Sequence, residues 1–341
     1  MSRARVARRI AQAAAYGGGG ISLLGGAAVG LLLTEVALAR RIVGGSDAVP
    51  PRADGRYGSV FAQVEPPLVL GFLGDSTAAG QGVHRARETP GALLASGLAA
   101  VAERPVRLVN VANPGAQSDD LARQVTQLLD GEGVLPDACV IMIGANDVTR
   151  RMPLAKSVRF LSDAVRRLRE AGSEVVVGTC PDLGSVEPVQ QPLRWVARRL
   201  SRQLAAAQTI AVVGLGGRTV SLGALLGPEF ESRPREMFGP DNYHPSAEGY
   251  ATAAMAMLPS LCAGLGLWPE DRPDARRGEG VLPVAQAAAA AASEGGTEVA
   301  AAGAASGPRG RWALLMRRRR RRLPDAAASG PEPADFSPSG A

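Results

Sequence analysis

Between residues 68 and 268 one pattern recurs along the chain. A short apolar run is followed by a turn rich in Gly, Asn or Asp, then by a longer stretch with apolar residues at helical spacing. The runs at 68–73, 106–112, 138–143 and 174–179 are rich in Val, Leu and Ile without regular polar alternation, which marks strands buried on both faces. Stretches 88–102, 119–129, 154–171 and 193–208 read as the intervening helices, the third with a basic face. A fifth strand falls either at 209–213 or at 220–222. Ser246 caps a last helix on which Tyr250, Ala253, Ala254, Met257, Leu258 and Leu261 share one face. Such alternation specifies an α/β fold: a five-stranded parallel sheet covered by helices on both sides, giving three layers. In such a sheet the functional groups gather at the carboxyl ends of the strands.

The flanks read differently. Arg3, Arg5, Arg8 and Arg9 precede an uncharged stretch at 11–34, and Ala37-Leu38-Ala39 stands just before Arg40. Residues 1–41 therefore read as a signal-anchor that spans the membrane with its N-terminus inside, or as a signal peptide cleaved near Ala39. Either reading puts the remainder outside the cytoplasm. Residues 42–66, rich in Gly, Pro and Ala, read as a linker to a catalytic domain at 67–268. From 269 to 341 the pattern collapses into an Ala/Gly/Pro-rich tail, expected to be disordered, that includes six consecutive arginines, Arg317 through Arg322. That run reads as a solvated charge block or as a contact to anionic membrane or cell-wall polymers.

The net charge of +6 belongs to these ends. Residues 1–60 hold eight Arg against three acidic residues, and 271–341 hold eleven Arg against eight, so the middle is slightly acidic. A specific nucleic-acid partner is not indicated. Three cysteines at 139, 180 and 262, with two histidines in the whole chain, supply no metal-ligand spacing, so no metal and no other cofactor is expected. Cys139 at one strand start and Cys180 at another strand end are staggered, which argues against a bridge between them. A monomer is expected.

Four segments carry chemistry. Ser76 follows the first apolar run directly, in Gly74-Asp75-Ser76. A serine hydroxyl attacks only when a base takes its proton, and Gly-Asp-Ser alone equally suits a helix cap. His244 is the natural base, since Asp241 three residues earlier can accept from its Nδ1–H, fix the tautomer and stabilise the imidazolium. Its rival His84 lies in a Gly- and Arg-rich loop with no carboxylate at close spacing and reads as a surface residue. An oxyanion needs donors, and three are at hand: the Ser76 N–H, the N–H of Gly115 in Asn113-Pro114-Gly115, and the amide of Asn146 in Gly144-Ala145-Asn146-Asp147. Asp147 and Thr149 are expected to cap the helix that follows, and Asn-Pro-Gly is also a common turn.

In order and at successive strand ends, these segments resemble the blocks of the SGNH hydrolase superfamily, also called GDSL-type esterases/lipases. Gly74-Asp75-Ser76 matches the first block, Gly115 the second, Gly144-Ala145-Asn146-Asp147 the third and Asp241-Asn242-Tyr243-His244 the fifth. The resemblance covers 67–268 and implies a flavodoxin-like sandwich. It implies Ser76 as nucleophile, His244 as base, Asp241 as its orienter, and Ser76, Gly115 and Asn146 as oxyanion donors. Thr77 stands where the family often has Leu, and Ser118 where the second block often has a further Gly. The nucleophile elbow G-x-S-x-G of α/β-hydrolases is not met, because Ala78 occupies its last position. The implied activity is hydrolysis of carboxylic esters through an acyl-enzyme, the partner being an ester of unspecified identity. A cell-wall or carbohydrate O-deacetylase is the narrower alternative, and a non-catalytic envelope binding protein on the same fold is the alternative of another class. Substrate choice is expected to rest on loops at 182–193 and 221–238.

Overall fold

The computed structural model describes residues 49–267 except 65, 132–134 and 187, together with Gly30, Thr34, Glu298 and Val299. Among the described residues seven strands form one sheet: β1 (Gly55–Tyr57), β2 (Leu68–Gly74), β3 (Val106–Asn110), β4 (Ala138–Met142), β5 (Glu174–Gly178), β6 (Arg218–Val220) and β7 (Glu298–Val299). Their order is β1-β3-β2-β4-β5-β6-β7. The five inner strands are all parallel, as the alternation specifies, and the two short outer ones are antiparallel. The chain passes from β2 to β3 on one side and then crosses over to β4 on the other. The switch point therefore lies between β2 and β4, where open α/β sheets leave a crevice beyond the strand ends.

Successive side chains on a strand point to opposite faces, and here each set is apolar. Leu70, Phe72, Val140, Met142 and Val176 face one layer, formed by helices α2 (Pro90–Ala102), α7 (Leu222–Ser232) and α9 (Ala247–Gly264). Leu73, Cys139, Ile141, Val175 and Val177 face the other, formed by α3 (Leu121–Asp130), α5 (Leu154–Glu170) and α6 (Leu193–Gly214). Helix α3 approaches β2 closely: a Cβ on Gly71 would stand 2.6 Å from Leu128 Cδ2. Short helices α1 (Ser76–Ala79), α4 (Ala145–Thr149) and α8 (Pro234–Met237) sit at or near the carboxyl ends of the strands.

Several expectations are corrected. The linker reading of 42–66 fails from Ala53 onward. Ala53 is buried and accepts from Tyr57 Oη at 2.6 Å, and β1 pairs with β3. Without it β3 would be an open sheet edge, and its backbone groups need partners. On the far side Glu298–Val299 pairs with β6, so part of the tail returns to the sheet. Residues 209–213 continue α6 rather than forming a strand, because Val212 enters the second core layer and Thr209 Oγ1 donates to Ala205 O within the helix. The fifth parallel strand is β6. The stretch 221–238 is mostly helical, as α7 and α8, its apolar spacing interrupted by Gly223, Gly227 and Pro228. All three cysteines are free and buried.

Among the described residues no helix is long and apolar enough to cross a membrane. The signal or anchor reading of residues 1–41 falls outside the described residues, apart from Gly30 and Thr34, as do the six arginines of the tail.

Candidate active site

The turn after β2 is built around Gly74. Its φ is +138°, and a Cβ there would stand 1.9 Å from Met142 O, so only glycine fits. Gln124 from α3 grips the same peptide at both ends: Gly74 N donates to Gln124 Oε1 and Gln124 Nε2 donates to Gly74 O, each at 2.8 Å. Asp75 then caps α1, accepting from Thr77 N at 2.9 Å. The capping role thus falls to Asp75, which leaves the Ser76 hydroxyl free for other work. As the first residue of α1, Ser76 also has an N–H that the helix does not use.

Asp241 and His244 meet within a single turn. Asp241 Oδ1 accepts the backbone N–H of Tyr243 at 3.0 Å and of His244 at 2.9 Å, while Oδ2 lies 2.5 Å from His244 Nδ1. Burial would raise the Asp241 pKa, but the side-chain and backbone hydrogen bonds with His244 outweigh it and hold the carboxyl below its ordinary value. The carboxylate therefore stays charged at neutral pH and takes the Nδ1–H. Nε2 is left as an acceptor, 2.8 Å from Ser76 Oγ. The Tyr243 ring stands edge-on to the imidazole, with centroids 4.9 Å apart, and restrains its tilt. The loop after α1 holds the other side: Tyr250 Oη donates to Gln81 O at 2.6 Å, and a Cβ on Gly82 would meet Pro245 O at 2.6 Å. His84 is exposed, as expected of a surface residue.

Gly115 and Asn146 complete the arrangement from β3 and β4. The register pairs Gly74 with Met142, which sets the turns carrying Ser76 and Asn146 side by side. Gly115 adopts φ +79°, and Asn146 Nδ2 donates to Ala116 O at 3.1 Å, keeping its second N–H for another acceptor. Asp147 does not cap its own helix. Its buried carboxylate instead accepts from Ser118 N at 2.9 Å, from Ser118 Oγ, and from Ser157 Oγ of α5 at 2.6 Å. This ties the Gly115 loop to the helix carrying Asn146. Ser118 therefore does positioning work that a glycine side chain could not. Thr149 Oγ1 donates back to Asn146 O at 3.3 Å and is likewise no N-cap. Gln124 and Ser157 carry no sequence signal for these roles, and Ser118 shows there only as a departure from the family's usual Gly, because Gln124 and Ser118 act on partners 50 and 29 residues away and Ser157 reaches Asp147 from a different helix.

A cavity of about 60 Å³ lies next to this constellation. Asp75 and Thr77, which flank Ser76, line it together with Leu222, Phe230, Tyr243 and Tyr250. Burial pushes the Asp75 carboxyl up to about 6 despite its bonds to Thr77. Cys180, beside Gly144, is no rival nucleophile: burial holds its thiol well above the ordinary range, hence protonated.

The family model for GDSL-like lipases/acylhydrolases matches residues 72–252. The GDSL-like esterase Rv1075c of Mycobacterium tuberculosis is 45% identical over 259 residues, covering 74% of this chain and 82% of that protein. Among solved structures, TesA is similar at 23% identity, covering 59% of this chain and 99% of its own, with a TM-score of 0.43. The psychrotrophic esterase EstA from Pseudoalteromonas sp. is similar at 18% identity over 59% of this chain and 97% of its own, with a TM-score of 0.44.

Proposed function

The chain belongs to the GDSL-like lipase/acylhydrolase family, and from that premise we propose that it is a serine hydrolase of carboxylic esters working through an acyl-enzyme intermediate. The observation that carries this reading is the unbroken line Asp241 Oδ2, His244 Nδ1, His244 Nε2, Ser76 Oγ, with contacts of 2.5 and 2.8 Å. Ser76 Oγ attacks the ester carbonyl carbon while His244 Nε2 takes its proton. Asp241 stabilises the imidazolium so formed. The oxyanion is received by the N–H groups of Ser76 and Gly115 and by the Asn146 amide, donors that pre-exist and need no reorganisation. Collapse expels the alkoxide, which takes the proton from His244. Water then enters with His244 again as base, and deacylation frees Ser76.

The reading retains an extracytoplasmic location, supported by the four arginines that precede the uncharged stretch at 11–34.

Two measurements decide the chemistry. The full chain should hydrolyse short p-nitrophenyl esters, and an alkyl phosphonate should add to the peptide containing Ser76. A phosphonate adduct that persists undiminished in Ser76→Ala would overturn the assignment. A folded chain without turnover on any ester would favour a binding protein on this fold instead.

A further inference from the structure

Helix α6 is longer than the sheet it covers. Gln208 marks where it passes the strand ends, its side chain donating to Ile143 O at 3.1 Å and accepting from Cys180 N at 2.8 Å. The fifteen residues before it, 193–207, therefore run on for ~22 Å along the helix axis beyond the carboxyl edge of the sheet. This overhang rises beside α4, the helix bearing Asn146, since Val148 and Val158 pack against Leu204 and Ala205.

The inner side of the overhang has clear structural work. Leu183 N donates to Ser201 Oγ, and Arg198 and Arg202 reach Asp182. Its outer side does not. Trp195 is 58% exposed and Leu200 44%, with the Arg199 guanidinium 5.7 Å from the indole centroid. Neighbouring α5 opens in the same manner: Leu154 is 45% exposed, and Lys156 and Arg159 lie 5.5 and 5.1 Å from the Phe160 ring centroid. No acidic residue occurs from 148 to 162 or from 188 to 217. Cations in the first turns of a helix oppose its dipole, so helix stability does not account for them. Arg150 extends the basic surface to the site itself, because its Nη2 would stand 3.3 Å from a Cβ on Gly115.

We propose that the outer face of the α6 overhang and the start of α5 form a docking surface for a lipid bilayer with anionic headgroups, which presents lipid-borne esters to the mouth of the site. Charge complementarity selects an anionic partner, and exposed Trp and Leu beside Arg select a lipid interface over a hydrated polyanion. A second copy of the chain fits poorly. A twofold contact would set Lys156, Arg159 and Arg199 against a surface of the same sign. Docking stands independently of the esterase reading; only delivery of esters rests on it.

The test uses the full chain carrying Trp268→Phe and Trp312→Phe, so that Trp195 is the sole indole. With phosphatidylglycerol-containing vesicles its emission shifts to the blue and is quenched by brominated acyl chains, and neither occurs with phosphatidylcholine alone. Lys156→Gln, Arg159→Gln and Arg199→Gln combined weaken vesicle binding by about tenfold or more. The same triple variant leaves turnover of soluble p-nitrophenyl acetate unchanged and lowers turnover of an ester held in the anionic vesicles. Three results would each overturn docking at this face. The first is a vesicle-bound chain whose Trp195 stays unshifted and open to iodide, the termini then being the contact. The second is an equal shift on phosphatidylcholine. The third is a shift that grows with protein concentration in the absence of lipid, which would mean self-association. Should the parent hydrolyse no ester at all, the esterase reading falls, and the Trp195 readout still decides docking.

Discussion

Asp241 and His244 stand three residues apart and meet inside one turn, whereas Ser118 and Asp147, which align Gly115 and Asn146, two of the three proposed oxyanion donors, stand 29 residues apart on different strand ends. The base side is a local structure. Three hydrogen bonds to one carboxylate orient His244, and only its contact with Ser76 spans the fold. The donor side has no local equivalent. Gly115 is held through Ala116 and Ser118, and these are held by Asn146 and Asp147, which Ser157 of α5 holds in turn. Local geometry survives distant change, while a relay of buried polar groups does not. The two sides should therefore respond differently to substitutions remote from the reacting atoms.

Substitutions at the reacting atoms come first, since both sides depend on them. Ser76→Ala is expected to lower kcat by ~10⁶ and remove phosphonate labelling, measured by stopped assay and intact mass. Asp241→Asn should lower kcat by ~10⁴ with an unchanged circular dichroism spectrum, because the neutral amide no longer enforces the tautomer. A loss below tenfold would show that the local turn orients His244 without the charge. On the donor side Asn146→Ala should cost ~10²–10³ in kcat with KM little moved. Equal losses in kcat and affinity for ground-state esters would mean that Asn146 binds substrate rather than the oxyanion.

The sharpest probe of the contrast is Ser157→Ala, which touches neither substrate nor triad. Its buried contacts with Asp147 and Ser118 are lost, costing about 1.5–3 kcal/mol in urea unfolding. If the donor side depends on its relay, kcat falls several-fold, KM is unmoved and the pH profile of kcat keeps its shape. Unchanged kcat at the same stability loss would break the comparison and make Ser157 merely structural.

Asp75 gives the smallest effect, seen in stability. Its native pKa of about 6 lies above the ordinary 3.8, so between these values the folded chain binds more protons than the unfolded chain. Stability from this group is therefore full below pH ~4, falls as pH rises to ~6 and stays low above, by about 2–3 kcal/mol. Asp75→Asn keeps an acceptor for Thr77 N and removes the charge. Its Tm should exceed that of the parent by about 5 °C at pH 8 and match it at pH 4. A Tm gain equal at both pH values would place the benefit elsewhere.

Much of this could be read along the chain. Strands buried on both faces announce themselves as unbroken apolar runs, so β2, β4 and β5 were legible, as was the capped helix after Ser246. Edges were not. β1 hid in a Gly- and Pro-rich stretch because an edge strand needs few apolar residues; what recruits it is the open side of β3. The run at 209–213 looked like a strand because β-branched residues favour one, yet packing against the sheet carried α6 through it. Asp147 beside Asn146 suggests a cap because caps are local and common, while its partners Ser118 and Ser157 come from a loop and a helix that only folding brings near.

By itself the sequence determined the residue types, their order on successive strand ends and the Asp241–His244 turn, since all three depend on contacts within a few residues or on strand-length periodicity. Only the tertiary structure decided that β2 and β4 adjoin at the switch point, that Gln124 grips Gly74, that Asp147 ties the donors together and that α6 overhangs the site. Each of these joins groups far apart in sequence, and such pairings are selected by the collective packing of the core rather than by any local preference.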